Sequence, residues 1–596
     1  MIAPLCIVSG AFLLAWTLLA RCLFLARWRA GWAMYLANIA WEVFPKKLGI
    51  GRFKLEAVAA LSGLALLGAG GVPWVAVAIV GGILLALEVA NRRLSRRLVN
   101  GPFRHDLILT LEGPFVARRP RVDLGVRCIG LPFELTLVVS NPSPDRTHSG
   151  LNVRLVVPGD WAGGTREERR LPEIPSGGVA QVAWTLCPRE RREAGTLEMI
   201  VEGNGFRRCT RIHHAGCRAS SEMRGLKAGI TRYPGGRRSA FMWRGDMDLY
   251  DKLTFQSIEG LEAALGLSAR YGMAQTMYLS TRLSLDATAA KEWAAHDGRD
   301  HGAEEIPAFI EWMKAKVDLR HVAPYPAVGD GKPYVLELGN HGHLHYDTAA
   351  AAAPENGWTS HAKMGAGRYP WVGEDTSSFG EQRDNILEAA RWCDRFFGFV
   401  PRSWAKPGRC NDADTARAAE AAGCEVLSGS DIRARDNVLF QPPPHHPGGT
   451  HAVELTSRHP CDPQHVHHWA MVRFWLHRSA RRGIPMVFMC HQHMRQWEGP
   501  ACMRFTEAIL RAALADFNGD FFVDTVFGVG KYWREVLSPT TRTVTVSLAG
   551  RRLVVENGSD MDLAQVPVDL EFDDGSRSTV LVDVPGGQTM EVELKE

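Results

Sequence analysis

The sequence predicts an α/β protein: a parallel barrel of alternating strands and helices, with an apolar N-terminal region before it and a β-rich piece on either side. Three observations carry that prediction. Residues 239–537 alternate apolar strand-like runs with amphipathic helix-like runs, and polar residues gather where the apolar runs end. The first hundred residues hold a disproportionate share of the apolar side chains. Leu107 to Gly203 and Thr543 to Leu594 alternate apolar and polar residues in short runs broken by turn residues. A chain of 596 residues is long enough for several domains, which we place at 1–100, 101–220, 230–538 and 540–596.

Met1 to Ala20 is apolar over the length needed to cross a bilayer, about 20 residues. No Lys or Arg precedes it and no small-residue cleavage site follows, the pattern of an uncleaved anchor rather than a signal peptide. A second apolar stretch, Leu55 to Ala90, is broken by Gly68-Ala69-Gly70-Gly71-Val72-Pro73 and reads as a strongly tilted helix or a hairpin. Arg27, Arg29, Lys46, Lys47, Arg52 and Lys54 lie before it, and Arg92, Arg93, Arg96 and Arg97 after it. The positive-inside rule keeps both flanks cytoplasmic, which favours the hairpin. Two or three transmembrane segments are therefore expected, in a bacterial inner membrane. Between them, Trp32, Tyr35, Trp41 and Phe44 fit an interfacial segment or a buried amphipathic helix.

In the first β-rich piece, Phe133 to Val139, Leu151 to Val157 and Val179 to Leu186 are separated by Asn141-Pro142-Ser143-Pro144 and Pro158-Gly159, the rhythm of an immunoglobulin-like sandwich. The second repeats it in less length, with Asn557-Gly558 and Asp573-Asp574-Gly575-Ser576 as turns. Spacing or docking is the default role for both, because neither shows an aromatic platform for a glycan.

Within the barrel region, an apolar run ends in Arg244-Gly245-Asp246-Met247-Asp248, followed by a helix (Ile258 to Tyr271) and by Gly272 to Ser280, which reads as helix end and buried strand. Tyr334 to Leu338 leads into Asn340-His341-Gly342-His343-Leu344-His345. Arg383 to Gly398 reads as an amphipathic helix, Trp404 to Arg409 as strand and loop, Asp412 to Gly423 as a helix and Cys424 to Asp431 as a strand. Met486 to His493 and Phe521 to Val526 end two further strands.

The polar residues at these ends share a chemistry. His341 and His345, four apart, and the pair Asp246 and Asp248 make a compact site for a divalent metal. Two imidazoles and one carboxylate fill three positions on zinc, water takes the fourth, and the second carboxylate is placed to act as base. That is the equipment of a metal-assisted hydrolase. His343 lies between the two ligands, where the spacing points it away from the metal. His445, His446, His451, His459, His465, His467 and His468 fall in Pro442 to Trp469, which reads as a long loop over the site rather than as a second metal centre.

On these motifs the chain resembles the polysaccharide deacetylase (NodB-like, carbohydrate esterase 4) superfamily, over about Ser239 to Leu537. The resemblance implies the family's distorted (β/α) barrel, with Asp246 as general base, Asp248, His341 and His345 as metal ligands and His491 as general acid. His493 competes for the acid role, and His491 is preferred as the first after the apolar strand. Closest in look is the branch of deformylases acting on formyl-aminoarabinose attached to undecaprenyl phosphate. That branch shares the Arg-x-Asp-x-Asp motif, the long insert before the histidines and a motif like Ser430-Asp431-Ile432-Arg433. Most of the superfamily uses an Arg-x-Pro arginine to orient the catalytic Asp, and Ala405 stands in its place here. As in the deformylase branch, an Arg follows the next Gly, so Arg409, or less readily Lys406, is assigned that task. Asp431 and Arg244 are assigned to the substrate. The implied cofactor is zinc, with cobalt, nickel or manganese as alternatives.

The reading that follows is a membrane-anchored, metal-dependent hydrolase removing an N-acetyl or N-formyl group from an amino sugar carried on a polyprenyl phosphate, with membrane lipids as its surroundings. The alternatives are a deacetylase of a finished cell-surface polysaccharide and an inactive glycan-binding or scaffold subunit, the latter motivated by Ala405. Twelve cysteines scattered without a repeated spacing favour the reducing, cytoplasmic face; the habit of the superfamily favours the periplasm. The net charge of +4, with no basic stripe and no phosphate-cradling Gly loop, excludes a nucleic-acid partner.

Overall fold

The structure, a computed structural model, describes residues 2–25, 52–100, 107–116, 122–163, 168–222, 227–247, 258–281, 305–319, 332–343, 378–406, 414–429, 442–458, 466–492, 495–516 and 520–594. Of the residues singled out above, Asp248, His345, Arg409, Ser430 to Arg433, His459, His465 and His493, the aromatic segment Trp32 to Phe44, and Arg27, Arg29, Lys46 and Lys47 lie outside them.

The centre is a sheet in which every pairing is parallel. Its strands are β1 (Ser239–Met247), β2 (Gln275–Leu279), β3 (Val317–Leu319), β4 (Tyr334–Asn340), β5 (Ser403–Trp404), β6 (Val426–Leu427), β7 (Val453–Glu454), β8 (Ser457–Arg458), β9 (Met486–Cys490) and β10 (Phe521–Val523). Their order is β7-β6-β5-β4-β2-β1-β9-β8, with β3 beside β4 and β10 beside β1. β7 and β8 belong to one run of chain; β7 pairs with β6 and β8 with β9, so the two ends of the order meet through Leu455 and Thr456 and the sheet closes on itself. Parallel neighbours need crossover connections. Helices α1 (Ile258–Arg270), α2 (Glu305–Lys316), α3 (Phe379–Phe397), α4 (Thr415–Ala421), α5 (Val466–Arg482) and α6 (Pro500–Arg511) lie in those crossovers.

Strand parity sorts the side chains. On β1, Phe241 and Trp243 pack outward with Trp475 of α5 and Phe488 of β9, while Ala240 and Met242 point inward with Tyr278, Val426, Val453 and Val487. All nine residues of β1 are buried, because both faces of a parallel strand are covered. A short helix, Val526–Tyr532, fills the interior with Val526, Phe527, Val529 and Tyr532. Near that helix Glu337 of β4, fully buried, accepts from Thr276 Oγ1 at 2.8 Å and from the Phe527 N–H at 2.9 Å, and also from Ser403 Oγ. Burial holds its carboxyl above the usual range, against the pull of those donors.

Local signals explain one difference in boundaries. α3 starts at Phe379 rather than Arg383, because Ser378 and Glu381 form a capping box: the Glu381 N–H donates to Ser378 Oγ at 3.3 Å and the Ser378 N–H to Glu381 Oε2 at 2.8 Å. It ends at Gly398, whose φ of 78° suits the left-handed cap.

Before the barrel stands a sandwich. One sheet contains Ile108–Glu112, Phe133–Ser140, Val179–Pro188 and Trp161–Ala162; the other contains Val122–Asp123, Phe206–His214, Gly195–Gly203, Asn152–Val156 and Glu168–Arg170. After the barrel come two three-stranded sheets, one of Val544–Ala549, Arg552–Asn557 and Thr589–Glu593, the other of Leu563–Glu571 and Arg577–Val584 with Lys227–Ile230. That last strand precedes the barrel in the chain, so the C-terminal unit is completed by residues outside 540–596. Arg232 joins all three units: it pairs with Asp569 and donates through Nη1 to the Phe115 carbonyl at 2.6 Å and through Nη2 to Thr579 Oγ1 at 2.8 Å.

The N-terminal region contains helices at Ile2–Leu25, Arg52–Ala69 and Trp74–Asn100. The first two run antiparallel in close contact, since a Cβ on Gly10 would stand 2.8 Å from the Gly63 carbonyl oxygen and one on Gly70 would stand 2.5 Å from Ile7. Their outward side chains are apolar: Ile2, Leu5, Val8, Phe12, Leu61, Trp74, Val75 and Leu85 are each more than 60% exposed. Counted over the described residues alone, no helix is long and apolar enough to cross a membrane.

Candidate active site

Parity also assembles the site. Asp246 on β1 is in register with Tyr278 on β2, and Tyr278 with Gly339 on β4, all on the inward face at the strands' carboxyl ends. His341 continues that parity two residues past Gly339, and His491 continues it two past Met489 of β9, itself in register with Arg244. Asp246 and His341 therefore face the same rim from strands two places apart in the sheet. Functional groups at one rim, on the carboxyl side of a parallel sheet, are the usual placement.

Two residues apart on one strand, Arg244 and Asp246 share a face, and the guanidinium turns back onto the carboxylate. Nε donates to Asp246 Oδ1 at 3.0 Å and Nη2 to Oδ2 at 2.5 Å, with a further Nη2 bond to Oδ1. Nη1 donates to Ser428 Oγ at 2.9 Å and to the Ser428 carbonyl. The guanidinium carbon lies 4.9 Å from the centre of the Tyr278 ring. Arg244 is 1% exposed and Asp246 5%. The sequence expectation placed Arg244 on the substrate; its three nitrogens instead donate to Asp246 and Ser428.

Gly245 faces the other way, towards the helices. A Cβ there would stand 1.9 Å from Gln492 Oε1, so the residue between Arg and Asp has room for hydrogen only. Gln492 donates to Gln275 Oε1 at 3.0 Å, and Gln275 donates to the Ala264 carbonyl at 2.8 Å and to Ser268 Oγ at 2.9 Å. With Cys490 and Gln492 both fully buried in the outer layer, His491 between them is left half-buried on the inner rim.

His341 Nδ1 lies 2.7 Å from the Ala405 carbonyl, and a carbonyl can only accept, so Nδ1 carries the proton and Nε2 is the acceptor nitrogen. That is the tautomer of a metal ligand fixed by its second nitrogen. The turn is built for it: Asn340 Nδ2 donates to the Ile386 carbonyl at 2.9 Å, its Oδ1 accepts from the Gly342 N–H at 2.7 Å, and Gly342 has a φ of 83°. The Ala405 N–H donates to the Asn340 carbonyl at 3.0 Å, so Ala405 serves through its backbone. His343 turns to Thr281, Nδ1 to Oγ1 3.2 Å. Lys406 turns to Gln382, Nζ to Oε1 3.5 Å.

Among the described residues no group of three or more His, Cys, Asp or Glu side chains converges as a metal set. Of the three ligands implied by the resemblance, His341 is described and holds the required tautomer, while Asp248 and His345 fall outside. Of the loop histidines, His446 is held by the Ala452 carbonyl and Ser538 Oγ, 3.0 Å each, and packs on Trp533, a structural role. Sequence reasoning did not find Ser428, Tyr278, Gln492 or Gln275. The first two were hidden by distance in the chain. The i, i+2 spacing of Arg244 and Asp246 did signal that they share a face.

No family profile and no curated protein matches the chain. Among solved structures it is similar to a candidate polysaccharide deacetylase from Mycobacterium smegmatis, at 14% identity over 54% of this chain and 98% of that one, with a TM-score of 0.33. It is also similar to a family 4 carbohydrate esterase from Streptomyces lividans in complex with acetate, at 10% identity over 47% of this chain and 92% of that one, with a TM-score of 0.22. A CE4 family pseudoenzyme from Bacillus anthracis is similar at 10% identity over 53% of this chain and 84% of that one, with a TM-score of 0.22.

Proposed function

We propose that the chain is a metal-dependent hydrolase that removes an N-acetyl or N-formyl group from an amino sugar. The observation that carries this reading is the pairing of a buried, guanidinium-held carboxylate, Asp246, with a neighbouring imidazole, His341, whose protonation is fixed by a backbone carbonyl. A carboxylate held by two guanidinium nitrogens is oriented for one task, and a ring with Nε2 as acceptor fits a divalent cation. Asp248, His341 and His345 would hold that ion, zinc or else cobalt, nickel or manganese, which supplies a Lewis acid for the acyl oxygen and lowers the pKa of water. Asp246 takes the proton of the attacking water, and His491, at the end of the neighbouring strand β9, gives a proton to the departing sugar nitrogen. Asp431 is assigned to the sugar.

We further propose that the N-terminal helices anchor the chain in a membrane, with the active domain on the cytoplasmic face, and that the sugar is carried on a polyprenyl phosphate. The outward apolar side chains of those helices support the anchor, because a contiguous apolar surface on that scale is otherwise covered by a partner. The test is release of acetate or formate by the full chain in detergent, from a polyprenyl-phosphate N-acylhexosamine and from a soluble chitooligosaccharide. Release from the lipid-linked sugar alone is expected. Release from the oligosaccharide alone contradicts the lipid-linked substrate, and release from neither contradicts the enzyme.

A further inference from the structure

We infer that Arg244 is the positioning residue of the base: it takes over the orienting task at Asp246 from within the same strand and never touches the substrate. The inference rests on the reading of Asp246 as the base. Arg carries five N–H donors and no acceptor. Here Nε and Nη2 donate to the two oxygens of Asp246, and Nη1 donates to the hydroxyl and the carbonyl of Ser428. The guanidinium is also closed off, at 1% exposure, from a sugar hydroxyl or a phosphate.

The guanidinium is itself fixed from two sides. Ser428 follows β6 and is 0% exposed; its N–H donates to the Trp404 carbonyl at 2.8 Å, so its position is set by the sheet. Tyr278, also fully buried, stacks on the flat face. A guanidinium held by strands on both sides of the rim holds Asp246 in one rotamer. This makes sense of Ala405: the chain that lacks an arginine there carries one two residues before the base, and it serves the carboxylate through two nitrogens.

The test compares the full chain with Arg244→Met, Arg244→Lys, Ser428→Ala and Asp246→Asn, reading kcat, KM, bound metal per chain and melting temperature. For Arg244→Met the expected result is a kcat about 10²-fold lower, the size of a misplaced catalytic group. Its KM should stay within twofold and its metal content should be unchanged. Arg244→Lys, keeping charge but losing the fork, should recover about tenfold of that loss, and Ser428→Ala should lower kcat a few-fold with KM unchanged. If Arg244→Met does not fold, the Lys and Ala variants carry the comparison. A KM raised tenfold or more with kcat unchanged would make Arg244 a substrate ligand and overturn the inference, as would wild-type kcat in any folded Arg244 variant. A wild type without turnover overturns the reading of the site as well, which separates the two failures.

Discussion

Replacing Gly245 by Ala adds one methyl group at the most crowded point of the rim. Gly245 has no positive φ, so an alanine backbone is allowed there and the effect is steric. The new Cβ would lie 1.9 Å from Gln492 Oε1, 2.7 Å from its Cδ and 2.9 Å from its Nε2. The whole amide must therefore move, and its bond to Gln275 breaks in a region where both residues are 0% exposed. Overpacking costs about 1–3 kcal/mol and an abandoned buried amide about 1–3 kcal/mol, while the stiffer unfolded chain returns about 0.4–1 kcal/mol. The net expectation is about 2–4 kcal/mol of destabilisation of the barrel, with kcat reduced because Gln492 adjoins His491. Urea unfolding followed by tryptophan fluorescence reads it, since Trp243 and Trp497 pack 5.8 Å apart in this layer. Gln492→Ala removes the obstacle, so the double variant should recover at least about 1.5 kcal/mol relative to the sum of the singles. A Gly245→Ala protein within about 0.5 kcal/mol of wild type, or strict additivity, would refute this account of the rim.

Two more outcomes follow from buried charges. Because burial raises the Glu337 pKa, the folded state keeps that proton to higher pH than the unfolded state, whose carboxyl titrates near about 4.3. Its contribution is thus fully present below the unfolded value and is lost as pH rises through the folded one. The melting temperature of wild type minus that of Glu337→Gln should fall as pH rises above the unfolded value of about 4.3; parallel curves would show that the carboxyl is not perturbed. Arg232→Met takes the charge partner from Asp569, which is 27% exposed and keeps Thr231 and Thr579, and takes a donor from two carbonyls at the junction of the three units, a loss of about 1–3 kcal/mol. Limited proteolysis should then cut between the units faster; an unchanged cleavage pattern would mean that the units are held together elsewhere.

The motifs at strand ends were legible because a parallel sheet forces polar groups to its carboxyl rim, and the run from Ser239 to Met247 announces a strand buried on both faces. The same parity explains why Asp246, His341 and His491 share a side. What the sequence does not display are partners fixed by closure of the sheet: Ser428 lies 184 positions from Arg244, and Lys227–Ile230 pairs with a strand more than 300 residues away. The capping box at Ser378 and Glu381 was readable and marks the start of α3 one turn earlier than the apolar pattern alone. Ala405 looked like a lost function, because a missing arginine is visible in sequence and a replacement arriving from another strand position is not.

The measurement that bears most directly on the central claim is acyl release by the full chain before and after removal of divalent metal, with Asp246→Asn alongside. The account predicts turnover that disappears with a chelator, returns with zinc or a related divalent ion, and is absent in Asp246→Asn even when that variant binds metal as the wild type does. Turnover that survives chelation, or an Asp246→Asn protein as active as the wild type, would contradict it.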